Sequence, residues 1–367
     1  MRKNITRGVV LGTVALMALA ACSSRSDSSS TSTSGAAAKG FGANALIGVA
    51  LPAKTSVNWA LAGSLFTADL KAAGFQSDVQ YAAASGTVAD QQGEISTMVT
   101  KGAKVIIIGA QDGGQLSTQV EAAQAAGIKV IAYDRLILNT KAVDYYVAYD
   151  NYKVGVLQGQ ALLDGMKAKK AKGPYTIEVF AGSPDDANAQ VFFDGAMSVL
   201  KPEIASGNVV VGSGQKDFKQ VTTDGWKPEN AQRRMDTLMT STYSGKKTLD
   251  GVLSPNDTLA RAILTSVAGA GKPTPIVTGQ DSEPESVKSI MAGKQYSTIN
   301  KDTRNLVKQA VTMVTDLSTG KVPTTNSNTY NNGVKVVPAF LLPPVIVTKA
   351  NAAASYANDP TLEPLTK

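Results

Sequence analysis

The chain has 367 residues, 43% hydrophobic and 18% charged, a balance that excludes a disordered protein and leaves room for two domains with real cores. Its formal charge of +7 falls to +4 without Arg2, Lys3 and Arg7, which is too mild to argue for nucleic acid. A single cysteine excludes a disulfide within the chain, so packing must supply stability.

Those three cations precede an uncharged apolar run from Gly8 to Ala21 that is short for a membrane span and right for an export signal. The run ends in Leu19-Ala20-Ala21-Cys22, which resembles the lipobox of bacterial lipoproteins, where the signal is cut ahead of a cysteine that then carries lipid. The plainer alternative is a secretory signal followed by a chance cysteine. Residues 23–39, "SSRSDSSSTSTSGAAAK", have too little apolar area to offset their ordering entropy and read as a tether, with the folded body starting near Ala43.

From Leu46 onward, short apolar runs alternate with Ala-rich helical segments. "LIGVAL" (46–51), "KVIIIGA" (104–110), "KVIAYD" (129–134), "YTIEVFAG" (175–182) and "PIVTGQD" (275–281) are almost continuously apolar, as strands covered on both faces should be. Gly74, Gly102, Gly127, Gly271 and Gly293 each close a helical segment just ahead of a strand. Repetition of that junction predicts right-handed crossovers and parallel, doubly wound sheets. One set of units runs to about Tyr149, and a second begins with a helix from Val154 that leads to the strand at Thr176. In between, Lys167, Lys169, Lys170 and Lys172 crowd "MKAKKAKG", a solvated helix end with a phosphate or membrane role as the minor alternative.

Acids and amides recur where strands end. Asp112, Asp134, Asn256 with Asp257, and Asp281 follow apolar runs, as does Lys301, while "FAGSPDDANA" brings Asp185, Asp186 and Asn188 to the start of a helix. Ligands of open parallel sheets bind beyond the carboxyl ends of the strands. Each acid taken singly is equally well a helix N-cap. Asp134 is set apart by Arg135 beside it, which should keep its carboxyl ionised. Carboxylates, amides and cations without a metal-ligand cluster suit a neutral polyhydroxylated ligand. Trp59 is either a platform for the apolar face of a sugar ring or core, since Leu65, Phe66 and Leu70 share its segment.

At this level the segments "GIKVIAYDRLI", "VDYYVAYDNYKVGVLQG", "GSPDDANA", "FDGAMSVLKP", "SGQ", "SPND", "VTGQDSE", "SVKSIMAGKQYSTINKDTR" and "NNGVKVVPAFLL" resemble the bacterial multiple-monosaccharide receptors and the xylose-binding proteins that feed ABC importers. The resemblance spans about Leu46 to Lys349. It implies an α/β fold of two Rossmann-like lobes joined by a three-segment hinge near Ala148 to Asn151, near Gly279 to Glu283 and before Val334. The expected division is 1–21 signal, 22–42 lipidated cysteine and tether, 43–149 plus 282–330 N-terminal lobe, 150–281 plus 331–350 C-terminal lobe, and 351–367 tail. By position in the motifs it places sugar contacts on Lys54, Trp59, Asp112, Asp134, Arg135, Asn188, Asp257, Asp281 and Lys301, with Asn58 replacing a family arginine and Ala187 a second asparagine. "DGWKPENA" (224–231) leans toward the xylose branch, whereas "YDRLI" and "SVKSI" lean toward the multiple-sugar branch.

The resemblance further implies a monomeric binding protein without catalytic residue, metal or cofactor. It would be held by Cys22 on the outer face of the cytoplasmic membrane, or in the periplasm, and deliver a pentose or hexose to a permease. A sensor kinase is a second possible partner. A glycoside-processing enzyme lacks support in a chain without histidine, and a transcription regulator would need a DNA-binding domain where the export signal stands.

Overall fold

The structure is a computed structural model, and it describes residues 40–54, 56–83 and 87–367. Cys22 and the expected signal and tether up to residue 39 lie outside the described residues.

The first α/β set is built from β1 (Leu46–Leu51), α1 (Val57–Ala72), β2 (Gln76–Tyr81), α2 (Val88–Thr100), β3 (Val105–Ile108), α3 (Ser117–Ala125), β4 (Lys129–Tyr133) and β5 (Tyr145–Tyr149). The second contains α4 (Asn151–Lys169), β6 (Tyr175–Val179), α5 (Ala187–Ala205), β7 (Val209–Val211), α6 (Phe218–Val221), α7 (Pro228–Ser241), β8 (Gly251–Leu253), α8 (Asp257–Gly269) and β9 (Ile276–Val277). The chain continues through α9 (Pro284–Met291), β10 (Ser297–Asn300), α10 (Thr303–Ser318), β11 (Ala339–Leu342), β12 (Val345–Thr348) and α11 (Ala352–Ser355).

Strands β11-β5-β4-β3-β1-β2 form one parallel sheet and β7-β6-β8-β9 another. Alternation along each strand feeds two cores. In β3, Ile106 and Ile108 face a core with α2 and α3, while Val105 and Ile107 face one with α1 and α10. Burial on both faces explains why these strands are apolar without interruption. Gly74, Gly102, Gly127, Gly271 and Gly293 all have φ between 65° and 86°, the left-handed backbone that ends each helix. The fold is thus the expected pair of parallel-sheet lobes.

The course of the chain between the lobes differs from the expectation after Gly279. Asp281 N–H bonds Ile299 O and Tyr296 N–H bonds Val277 O, so residues 282–300 stay beside the second sheet, where β10 pairs antiparallel with β12 in a two-stranded sheet of their own. The chain returns to the first lobe only at Lys301 and Asp302, since α10 shares a core with α1. It stays there through β11, which pairs with β5, and leaves again at Pro343 and Pro344. The three crossings are therefore at Asp150, Lys301–Asp302 and Pro343–Pro344. Hydrogen bonding to strands distant in sequence, which no local pattern encodes, displaces the second and third from Gly279–Glu283 and from the stretch before Val334. Residues 331–342 accordingly belong with the first sheet. The last residues, 351–367, pack on the second lobe: Tyr356 and Leu362 share a core with Val287 and Val347, and Tyr356 Oη donates to Ser282 Oγ (2.7 Å).

Candidate functional site

The loops that follow β4, β6, β8 and β9 meet at the crossings, as the sheet-edge argument requires. Asp134 terminates β4 with φ 61° and Asp281 follows β9 with φ 95°. Most side chains are strained in that region, and Asp and Asn are among the few that tolerate it.

Asp134 is the centre of the group. Its backbone is tied down: the N–H donates to Val147 O (2.8 Å), and the carbonyl accepts from Tyr146 Oη (2.6 Å) and from Asn188 Nδ2 (2.9 Å). Its carboxylate, by contrast, receives no protein hydrogen bond among the described residues. Burial pushes this carboxyl above the usual range, and nearby Asp186 and Asp281 add to the shift against the opposing pull of Lys301 and Arg135. Arg135 favours the ionised form, as expected, but does not cancel the effect of burial. Arg135 turns to other partners, pairing through Nε with Asp186 (3.1 Å) and donating through Nη1 to Ala110 O (3.2 Å). Its guanidinium lies 5.6 Å from the centre of the Trp59 ring.

Trp59 stands half-buried at the mouth of the first lobe, edge-on to Tyr133 at 6.2 Å, whereas Phe66 and Leu70 of the same helix are fully buried. Gly109 allows this placement, because a Cβ there would come within 3.0 Å of the indole. From the crossing, Lys301 reaches Asp281 (3.0 Å) and sits 5.4 Å above the Phe192 ring. Burial depresses its ammonium pKa, but Asp281, Asp134 and Asp186 outweigh that and raise it. Asn58 Nδ2 touches Asp281 O at 3.4 Å.

Two residues from the second lobe act on the first. Asn188 gives its amide to Asp134 O and accepts from Asn151 Nδ2 (2.8 Å), so its side chain is committed to joining the lobes. Asp186 accepts from Arg135, from Trp226 Nε1 (3.2 Å) and from the Asn188 N–H (2.9 Å). The Trp226 ring packs on Gly182, where a Cβ would lie 2.2 Å away.

Three expected contacts have other partners. Lys54 is exposed with its ammonium 4.4 Å over the Tyr81 ring. Asp112 caps its own turn, accepting from Gly114 N–H (2.8 Å) and from the Gln115 side chain, which is the plain N-cap role. Asp257 is 0% exposed. Its two oxygens accept from Gln295 Nε2 (2.8 Å), Glu283 N–H (3.0 Å) and Thr298 Oγ1 (2.9 Å). Desolvation, with Asp281 and Glu283 behind it, pushes its carboxyl well up. The neighbour Asn256 is the one left partly exposed: its Oδ1 caps α8 through Leu259 N–H (2.9 Å), and its Nδ2 has no acceptor among the described residues.

Asp186 and Asn256 stand among the strand-end residues of the sequence but outside the sugar contacts the resemblance implies, while Phe192 and Trp226 are new neighbours of the group. Asp186 lies two residues from Asn188 in "GSPDDANA", and Asn256 one residue from Asp257 in "SPND". Phe192 and Trp226 carry no local signal, because their places follow from how α5 and the loop before α7 pack. Among the described residues, no three His, Cys, Asp or Glu side chains are grouped to hold a metal ion.

A periplasmic binding protein domain matches residues 47–322. The chain is 52% identical to the multiple sugar-binding periplasmic receptor ChvE of Rhizobium radiobacter over 311 residues, 83% of this chain and 87% of that protein. It is 34% identical to the D-xylose-binding periplasmic protein of Escherichia coli, with 85% and 89% covered. An ABC transporter solute binding protein from Clostridium phytofermentans, crystallised with β-D-glucose, superposes with a TM-score of 0.83 at 40% identity, covering 88% of this chain and all of that one.

Proposed function

The chain belongs to the periplasmic binding protein family, and from that premise we propose that it captures a monosaccharide outside the cytoplasmic membrane and presents it to the transmembrane subunits of an ABC importer. The observation that carries this reading is the Asp134 carboxylate: set between the lobes, flanked by Lys301 and Arg135, and without a protein donor among the described residues. A sugar hydroxyl supplies the missing donor, and a hydrogen bond to a charged acceptor is the stronger kind. Asn58, Trp59, Arg135, Asn256, Asp281 and Lys301 line the same junction and complete a polar grip with an aromatic wall. The named ligands of the relatives, multiple sugars, D-xylose and β-D-glucose, support an aldopentose or aldohexose.

Closure follows from the crossings. A ligand that touches Asp134 on one lobe and Asn256 on the other favours the state in which both are in reach, and so selects it from a hinge-bending equilibrium at Asp150, Lys301–Asp302 and Pro343–Pro344. Catalysis gains no support from the site. Glycoside hydrolysis needs two available carboxyl groups, and the neighbours of Asp134 are engaged, Asp186 by Arg135 and Trp226, Asp281 by Lys301.

The reading is tested with a panel of aldoses on protein comprising residues 23–367. One of xylose, glucose, galactose or arabinose is expected to raise the melting temperature by several degrees through linkage; no shift with any aldose overturns it. Cys22 is proposed as the lipid anchor. Cys22→Ala should move the full-length protein from the membrane to the soluble fraction with sugar affinity intact, and retention in the membrane would refute the anchor.

A further inference from the structure

The lysines at the end of α4 are not part of the site just described. Lys169 and Lys170 join Lys246, Lys247 and Lys272 around a hollow of about 710 Å³ whose floor is Met166, Met239, Tyr243 and Leu249, all buried. A second hollow of about 420 Å³ shares Lys169 and adds Lys294 and Lys349, and no acid lines it. In the first hollow the acid is Asp250, already taken by Lys170 (3.3 Å) and by the Thr176 N–H (2.8 Å).

Loop carbonyls account for some of these cations. Lys169 bonds Thr274 O, Lys170 bonds Pro174 O (2.9 Å), and Lys272 bonds Gly245 O (2.6 Å). They do not account for Lys246 and Lys247, which lie on the loop between α7 and β8, exposed, with no acceptor for either ammonium among the described residues. The result is a cationic rim over an apolar floor, wider than one anion needs.

We propose that this end of the second lobe is a contact surface for phosphate-headed lipid of an anionic membrane. The lysines meet the phosphates, and the apolar floor accepts the adjoining glyceride. The surface lies where β6, β8 and β9 begin, whereas Asp186, Asn256 and Asp281 lie beyond where those strands end. Lipid contact therefore leaves the ligand junction open. The inference is independent of the sugar reading.

Residues 38–367 form one compact unit and are the material for the test. Sedimentation with phosphatidylcholine vesicles, with and without phosphatidylglycerol, should show binding only to the anionic vesicles, weakened by salt. Combining Lys246→Glu, Lys247→Glu and Lys272→Glu should lower the partition coefficient about 100-fold. The pair Lys246→Gln and Lys247→Gln serves as a milder variant that leaves the fold untouched and should lower it by roughly 10-fold. The same charge reversal at the exposed first-lobe residues Lys141, Lys308 and Lys321 should leave at least most of the binding. Equal loss in that control set, or no dependence on phosphatidylglycerol, overturns the proposal. Saturable binding of glycerol 1-phosphate by calorimetry without vesicle binding would also overturn it, in favour of a soluble phosphate ligand.

Discussion

Replacing Asp134 by asparagine is expected to weaken monosaccharide binding about 30-fold, and replacing it by alanine roughly 100-fold or more, as read by calorimetric titration. The order follows from what each change removes. Asparagine keeps one acceptor of similar shape but loses the charge; alanine removes both oxygens and leaves the sugar hydroxyls facing Lys301 and Arg135 without their acceptor. Backbone strain makes the asparagine variant the cleaner test. Position 134 has φ 61°, which Asn and Asp tolerate and alanine does so less well, so part of any alanine effect is conformational. The carboxylate takes no part in the fold's own hydrogen bonds among the described residues, and the asparagine variant should therefore melt close to the parent. Parent-like affinity in both variants would remove the observation on which the functional reading rests.

Asp257→Ala is expected to do the opposite, lowering the melting temperature by at least about 5 °C while the folded protein still binds sugar. Removal of this fully buried carboxylate strands the Glu283 N–H and the Thr298 hydroxyl and leaves the Gln295 amide with Ser297 O alone, at a cost of about 3 kcal/mol or more. It also opens a hole against Gly279, whose Cα hydrogens occupy space a Cβ could not share with Asp257 Oδ1. A variant that melts like the parent but has lost its ligand would reverse the assignment and return Asp257 to the sugar contacts. Asn256→Ala is the companion measurement: that side chain is partly exposed and its Nδ2 has no acceptor among the described residues, and its loss should be felt in affinity together with a weakened α8 cap.

The neighbours Asn256 and Asp257 illustrate the limit of one-dimensional reading. Both follow β8, both are cap-type residues, and "SPND" offers no reason to prefer one. Which of them keeps a free polar atom depends on Gln295 and Thr298, some forty residues away, and those are brought in by the pairing of β10 with β12. Arg135 is a second case. The sequence places it beside Asp134, yet its guanidinium makes its ion pair with Asp186 on the other lobe.

What was legible from residue order alone is what short-range physics controls. Continuous apolar runs of strand length, glycines with left-handed backbone at helix ends, and acids where strands stop are properties of a few consecutive residues, and they led to two parallel-sheet lobes with a polar edge. Tertiary structure alone decided where the chain crosses between lobes and which side chains remain unpaired at the junction. Strand partners and hydrogen-bond donors are chosen among groups tens of residues apart, and a carboxylate is available to a ligand only if no such donor reaches it first.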